Sequence, residues 1–262
     1  MLTLYFSATG NTEHIARIFS RQMDAKCLSI EDEANFKAEI KAHDTLAFCY
    51  PIYGSRIPRN MREFVVKHMS DINGKRVVIL ITQMMFSGDG ARVFTDMFWD
   101  GAIDVIYAEH FNMPHNIPVL WKPGNRGIQR RFKKAEAKVM RVCQDIKNGI
   151  VKRRGFSRFS QFLGSIQGKP WQGDSKEIAP SIKSIEHRAK DGVKVHGDCT
   201  ACNLCVRICP VKNLANEQGK IIPLGDCVVC YRCVNRCPHK AITVMNIHAK
   251  PRWQYKGIDG AS

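Results

Sequence analysis

Near the N-terminus the chain reads Leu2-Thr3-Leu4-Tyr5-Phe6-Ser7-Ala8-Thr9-Gly10-Asn11-Thr12. Residues 2–6 are apolar or β-favouring and predict a short strand. From Thr12 to about Met23, apolar and small residues at Ile15, Ala16, Ile18 and Phe19 recur at helical spacing. A strand that passes through a hydroxyl-rich turn directly into a helix is the first step of an alternating chain, and the residues that follow keep the alternation. Leu28-Ser29-Ile30 predicts a second strand, and Thr45 to Tyr50 a third, stopped by Pro51. Pro58 opens a helix, where its missing N–H does no harm, with Met61, Phe64, Val65 and Met69 on one side. Val77 to Thr82 is apolar on both faces, as the centre of a parallel sheet requires. Ala91 to Trp99 predicts a helix and Ala102 to Tyr107 a fifth strand. Over 128–147, Ile128, Phe132, Ala135, Val139, Val142 and Ile146 mark an amphipathic helix whose other face is Arg and Lys. Five strands with intervening helices imply an open α/β sheet covered on both faces.

In such a sheet ligands bind beyond the carboxyl ends of the strands, so the loops after strands one, three and four are the candidate site. The first holds Ser7, Thr9, Gly10, Asn11 and Thr12. Hydroxyls and unpaired N–H groups at a helix N-terminus form an anion site. A simple N-cap explains one hydroxyl, not three. Neither a Gly-x-Gly-x-x-Gly run nor a phosphate-loop Lys is present in this turn, so the loop suits a single phosphate without a dedicated cation. The third-strand loop is Tyr50-Pro51-Ile52-Tyr53-Gly54 and the fourth is Phe86-Ser87-Gly88-Asp89-Gly90.

Eight of the 11 cysteines fall between 199 and 237, in two runs of one spacing. They are Cys199-x2-Cys202-x2-Cys205-x3-Cys209-Pro210 and Cys227-x2-Cys230-x2-Cys233-x3-Cys237-Pro238. Three cysteines at steps of three can face one cubane, and a fourth after a longer step before Pro points away. Structural zinc is the competing reading, but it needs neither the third cysteine nor the trailing Pro. A disulfide framework is disfavoured in a chain with no secretory signal pattern. Some 50 residues make a poor core by themselves, so bound metal would help hold this unit folded.

Ser-x-Thr-Gly-Asn-Thr after the first strand resembles the FMN phosphate loop of flavodoxins, and the Gly-Asp turn after the fourth resembles their turn beside the flavin ring. The cysteine runs resemble bacterial two-cluster ferredoxins, and the whole chain is similar to flavodoxin–ferredoxin fusion proteins of anaerobes. The resemblance implies a flavodoxin-like five-stranded parallel sheet with helices on both faces plus a small α+β ferredoxin-like domain. It divides the chain into an FMN domain (1–148), a basic linker or docking segment (149–190), a ferredoxin domain (191–245) and a tail (246–262). It implies FMN at Ser7, Thr9, Gly10, Asn11, Thr12, Pro51, Tyr53, Gly54, Phe86, Ser87, Gly88, Asp89 and Gly90. It also implies two [4Fe–4S] clusters with crossed ligation: Cys199, Cys202, Cys205 and Cys237 for one, Cys227, Cys230, Cys233 and Cys209 for the other. There is a departure. Many flavodoxins carry an aromatic residue three positions after the loop Asp, where this chain has Arg92. Tyr53 or Phe86 would then supply the aromatic wall, although Tyr53 also reads as a strand-end core residue.

The formal net charge of +16 is unevenly placed: −2 over residues 1–110, +13 over 111–190 and +5 over 191–262. In 152–163, Phe156, Phe159 and Phe162 alternate with Lys and Arg. This segment reads as docking one domain on the other, steering an acidic redox partner such as a ferredoxin, flavodoxin or oxidoreductase, or lying on a membrane surface. A solvated basic face is the plain alternative. Nucleic-acid binding is disfavoured because no such motif accompanies the charge. No apolar run approaches the roughly 20 residues that span a bilayer, and the expected location is the cytoplasm. No catalytic constellation stands out: His14, His43, His110, His115 and His239 have no motif partners, and the single Cys27, Cys49 and Cys143 read as small buried hydrophobes. The expected function is electron transfer between clusters and flavin. A flavin-dependent reductase and a redox sensor are the alternatives.

Overall fold

The computed structural model describes residues 1–86, 88–172 and 185–258. The first unit runs β1 (Leu2–Tyr5), α1 (Asn11–Gln22), β2 (Lys26–Ser29), α2 (Phe36–Lys41), β3 (Thr45–Pro51), α3 (Arg59–Lys67), α4 (Met69–Ile72), β4 (Arg76–Gln83), β5 (Asp104–Asn112) and α5 (Asn125–Lys147). The five expected strands pair in parallel in the order β2-β1-β3-β4-β5. A short β6 (Lys152–Arg153) from the basic segment joins the β5 edge as a sixth.

Alternation along the strands divides the core in two. Leu46, Phe48 and Tyr50 of β3 and Val77, Ile79 and Ile81 of β4 face one side, against Met61, Phe64 and Val65 of α3. Ala47, Cys49, Val78 and Leu80 face the other, against Ile15, Ala16 and Phe19 of α1 and the apolar stripe of α5. The fold is thus α/β, with a parallel sheet between helices.

Local chemistry overrides periodicity in two places. Ala91 to Trp99 is not an α-helix but a 3-10 turn over Arg92–Met97, in which the Thr95 hydroxyl donates to the Arg92 carbonyl and competes with α-helical bonding. Of the three aromatics in the basic segment, Phe156 packs on the first core, whereas Phe159 and Phe162 are exposed. They lie on α6 (Arg158–Gln172), where the buried positions within 158–168 are Gly164 and Gly168. A side-chain carbon at Gly164 would meet the Asp89 carboxylate, and one at Gly168 would meet the Arg56 guanidinium. Contact that close leaves no room for an aromatic ring on that face.

After α7 (Ile185–Lys190) comes the second unit: β7 (Lys194–Val195), α8 (Leu204–Ile208), β8 (Leu214–Glu217), β9 (Lys220–Pro223), α9 (Arg232–Arg236) and β10 (Ile242–Thr243). Its two sheets are antiparallel pairs, β7 with β10 and β8 with β9. Its small core includes Leu214, Ile221, Val234, Ile242 and Val244. The last described residues fold back on the first unit. Trp253 and Tyr255 join the core under α1 and α5, and Trp253 Nε1 donates to the Leu120 carbonyl at 2.8 Å.

Buried in β5, Glu109 pairs with Lys138 at 2.9 Å, Lys152 at 3.2 Å and Arg154 at 3.4 Å. Burial opposes its charge, but the His110 N–H and these cations together hold its carboxyl below the usual range. Burial, with help from Arg154, pushes neighbouring His110 down to about 3. Both groups bind protons more tightly in the unfolded chain, so stability is full above the ordinary histidine value of 6.5 and declines as pH falls below it. The urea midpoint should therefore be lower at pH 5 than at pH 7, and His110→Asn should reduce that difference. An unchanged difference would contradict the assignment.

Candidate functional site

A cavity of about 550 Å³ opens at the carboxyl edge of the sheet. Ser7, Thr9, Asn11 and Thr12 line it after β1, Pro51, Tyr53 and Gly54 after β3, and Phe86 after β4. Sequence reasoning missed two further parts of the wall. Met113 to Ile117 follow β5, and Val229, Tyr231 and Met245 come from the second unit.

The loop after β1 is shaped for an anion. Gly10 takes φ 98°, and α1 has no side-chain cap at its N-terminus. The N–H groups of Ala8, Thr9, Asn11, Thr12 and Glu13 find no acceptor among the described residues. The Gly10 N–H bonds the Ser7 hydroxyl at 3.2 Å. Thr12 and Thr82 share a hydroxyl–hydroxyl bond of 2.7 Å, and Thr9 Oγ1 accepts from Asn116 Nδ2 at 3.1 Å. Asn11 is held on both sides, donating to the Pro114 carbonyl at 2.7 Å and accepting from the Tyr255 hydroxyl at 2.6 Å. Among the described lining residues there is no Lys or Arg. Unpaired N–H groups and the positive helix end therefore supply the loop's attraction for negative charge.

The other walls are largely apolar: Ile52, Tyr53, Met84, Met85 and Phe86, with Met85 and Phe86 exposed at the mouth. Burial lifts the Tyr53 hydroxyl well above its ordinary range, so it stays protonated. Gly88, Asp89 and Gly90 do not line the cavity. Asp89 is 1% exposed and pairs with Arg92 at 2.7 Å and Arg56 at 3.5 Å, in the turn that α6 covers. Arg92 is engaged there and by Asp96 at 2.6 Å, away from the cavity. Ser87 lies outside the described residues.

The two cysteine runs repeat in backbone as well as in spacing. Ala201 and Val229 take φ 52° and 56°, Asn203 and Tyr231 take 61° and 59°, and Lys212 and Lys240 take 52° and 51°. Left-handed backbone at non-glycine residues is uncommon, and here it recurs at matching places in both runs. The Asn213 N–H meets Cys209 Sγ at 3.2 Å, as the Ala241 N–H meets Cys237 Sγ at 3.3 Å. Two small spaces result. Cys199, Cys202, Cys205 and Cys237 edge one and Cys209, Cys227, Cys230 and Cys233 edge the other, each of about 20 Å³. All eight thiols are free. Burial pushes Cys227 up to about 11 and Cys230 up to about 12, so their thiolates need a compensating positive centre. Among the described residues no three His, Cys, Asp or Glu side chains converge where a single metal ion could sit. No helix of the described residues is long and apolar enough to cross a membrane.

Residues 2–121 match the family model of the flavodoxin domain, which is less than half of the chain. Among solved structures the chain is similar to a two-electron reduced flavodoxin from Megasphaera elsdenii, at 20% identity over 53% of this chain and 99% of that one, with a TM-score of 0.39. The Trp repressor binding protein of Bacillus subtilis is similar at 14% identity over 54% and 99%, TM-score 0.41. Oxidised flavodoxin 2 from Bacillus cereus is similar at 16% over 55% and 97%, TM-score 0.38. No curated protein matches the chain. The N-terminal unit is thus a flavodoxin-like domain.

The positive φ of Gly10 gives a direct check on the anion loop. Gly10→Ala meets no steric neighbour but must adopt a backbone that L-residues avoid, at a cost of roughly 1–2 kcal/mol. Urea unfolding should show that loss. A variant as stable as the wild type would mean the loop conformation is not held as described.

Proposed function

We propose that this chain is an electron-transfer flavoprotein. FMN would occupy the cavity with its phosphate on the Ser7–Thr12 loop, and two [4Fe–4S] clusters would occupy the two cysteine-edged spaces. One observation carries the reading: Tyr231 lines both the cavity and the space edged by Cys209, Cys227, Cys230 and Cys233. Tyr231 therefore borders both the candidate flavin site and a candidate cluster site. The flavodoxin-domain match over residues 2–121 supports a flavin in the first of these.

When bound, clusters carry one electron each and a flavin carries one or two, which together couple single-electron carriers to two-electron chemistry. The chain's own residues bind and insulate. The N–H groups at the start of α1 and the hydroxyls of Thr9 and Thr12 would hold the phosphate. Tyr53, Met84 and Phe86 would pack the ring. Cys202 is exposed, so an external redox protein would reach the first cysteine space through it.

Crossed ligation is tested by a double variant. Cys199 and Cys237 edge the same space, so Cys199→Ser with Cys237→Ser should remove one cluster and leave about four irons per chain in anaerobic protein. If each run instead bound its own cluster, the double variant would lose nearly all iron. Retention of wild-type iron would overturn the cluster assignment altogether. Thr9→Val with Thr12→Val should weaken FMN binding on the order of tenfold or more, because two hydroxyls that contribute about 1 kcal/mol each are lost. Unchanged affinity in a fluorescence titration would remove the phosphate from this loop.

A further inference from the structure

Arg232 stands between Tyr231 and Cys233 in the second cysteine run, yet its side chain belongs to the first unit's anion loop. Nη2 donates to the Ser7 carbonyl at 2.7 Å and Nε to the Ala8 carbonyl at 2.9 Å. Nη1 donates to the Ile208 carbonyl, beside Cys209, at 2.9 Å. Glu31 closes the set with both oxygens, each 2.6 Å from a terminal nitrogen. A guanidinium has five N–H donors in a fixed plane, and here five acceptors receive them. The group is mostly covered, and its pairing with Glu31 keeps it charged against the cost of burial.

Peptide geometry gives the arrangement a consequence. In a trans peptide the N–H points opposite to the C=O. With the Ser7 and Ala8 carbonyls drawn to Arg232, the N–H groups of Ala8 and Thr9 are turned to the opposite side. Both residues line the cavity, Arg232 does not, and neither N–H has an acceptor among the described residues. The positive charge thus acts on the back of the loop, through its carbonyls, rather than on the ligand.

We propose that Arg232 is the positioning residue of the anion loop: it aims the Ala8 and Thr9 N–H groups at the ligand's phosphate, so that phosphate affinity in the first unit is set by a side chain of the second. The inference rests on the FMN reading and adds to it a residue that touches no ligand. Neighbouring contacts point the same way. Asn116 donates both to Thr9 Oγ1 and, at 3.2 Å, to the Cys230 carbonyl, and Asn235 donates to the Asn116 carbonyl at 2.8 Å.

Comparing FMN with riboflavin, which lacks the phosphate, separates positioning from general support. Full-length protein stripped of flavin is titrated with each, following flavin fluorescence, for wild type, Arg232→Gln and Arg232→Lys. Arg232→Gln should lose about tenfold or more in FMN affinity, on the order of 1.4 kcal/mol, with riboflavin affinity unchanged. Arg232→Lys keeps the charge but offers three donors for five acceptors, so it should also lose FMN affinity selectively and by less. It serves as the test if the Gln variant does not fold. Equal losses for both ligands would make Arg232 a merely structural residue and overturn the proposal, as would wild-type FMN affinity in both variants. Wild-type protein that binds neither ligand would instead overturn the flavin reading itself.

Discussion

A parallel sheet delivers the carboxyl ends of its strands to one edge, and the backbone leaving that edge cannot satisfy all its own N–H groups. Everything else in this molecule is arranged around that edge. The turn after β1 leaves a row of N–H groups unpaired at the start of α1. The strand ends of β3, β4 and β5 wall the space above them with apolar side chains. The second unit, whose own core is small, completes the wall with Val229, Tyr231 and Met245. Two incomplete structures close against each other, and the cavity is what remains between them.

This arrangement explains why the contacts between the units are polar and specific. Arg232, Asn116, Asn235 and Tyr255 all tie the second unit or the tail to the loops after β1 and β5. Arg59 with Asp226 at 2.8 Å and Arg62 with Glu186 at 2.8 Å fasten the opposite side. Backbone carbonyls are the acceptors in several of these bonds, so the side chains fix loop conformation and the position of the units together. A buried hydrogen bond to a charged group contributes about 1.5–3 kcal/mol, and several in one interface hold it against fluctuation.

Local signals were legible in the chain. The β1–loop–α1 segment folds as its residues imply, since a strand, a glycine with positive φ and an uncapped helix start are matters of a dozen neighbouring residues. Strand alternation puts Phe48 and Cys49 on opposite faces of the sheet, as a period of two requires. What the sequence hid is long-range. Arg232 lies more than 200 residues from Ser7 and Ala8, and no period links them. Trp253 and Tyr255 look like a tail because nothing around them is periodic, yet they bury against α1 and α5. The exposed Phe159 and Phe162 mislead for another reason. The helix packs with its glycines rather than its aromatics, and Gly164 and Gly168, one turn apart, were the readable sign of that close approach. Asp89 misled similarly, because its place beside the cavity was inferred from a turn motif while its charge is taken up by Arg92 and Arg56.

The proposed function requires one chain to hold a flavin nucleotide and two iron–sulfur clusters, with Tyr231 bordering the flavin site and one cluster site. Its most direct measurement is the cofactor content of wild-type protein prepared without oxygen. The account predicts one FMN, about eight irons and about eight acid-labile sulfides per chain. Colourless protein, or protein with zinc in place of iron and sulfide, would contradict it.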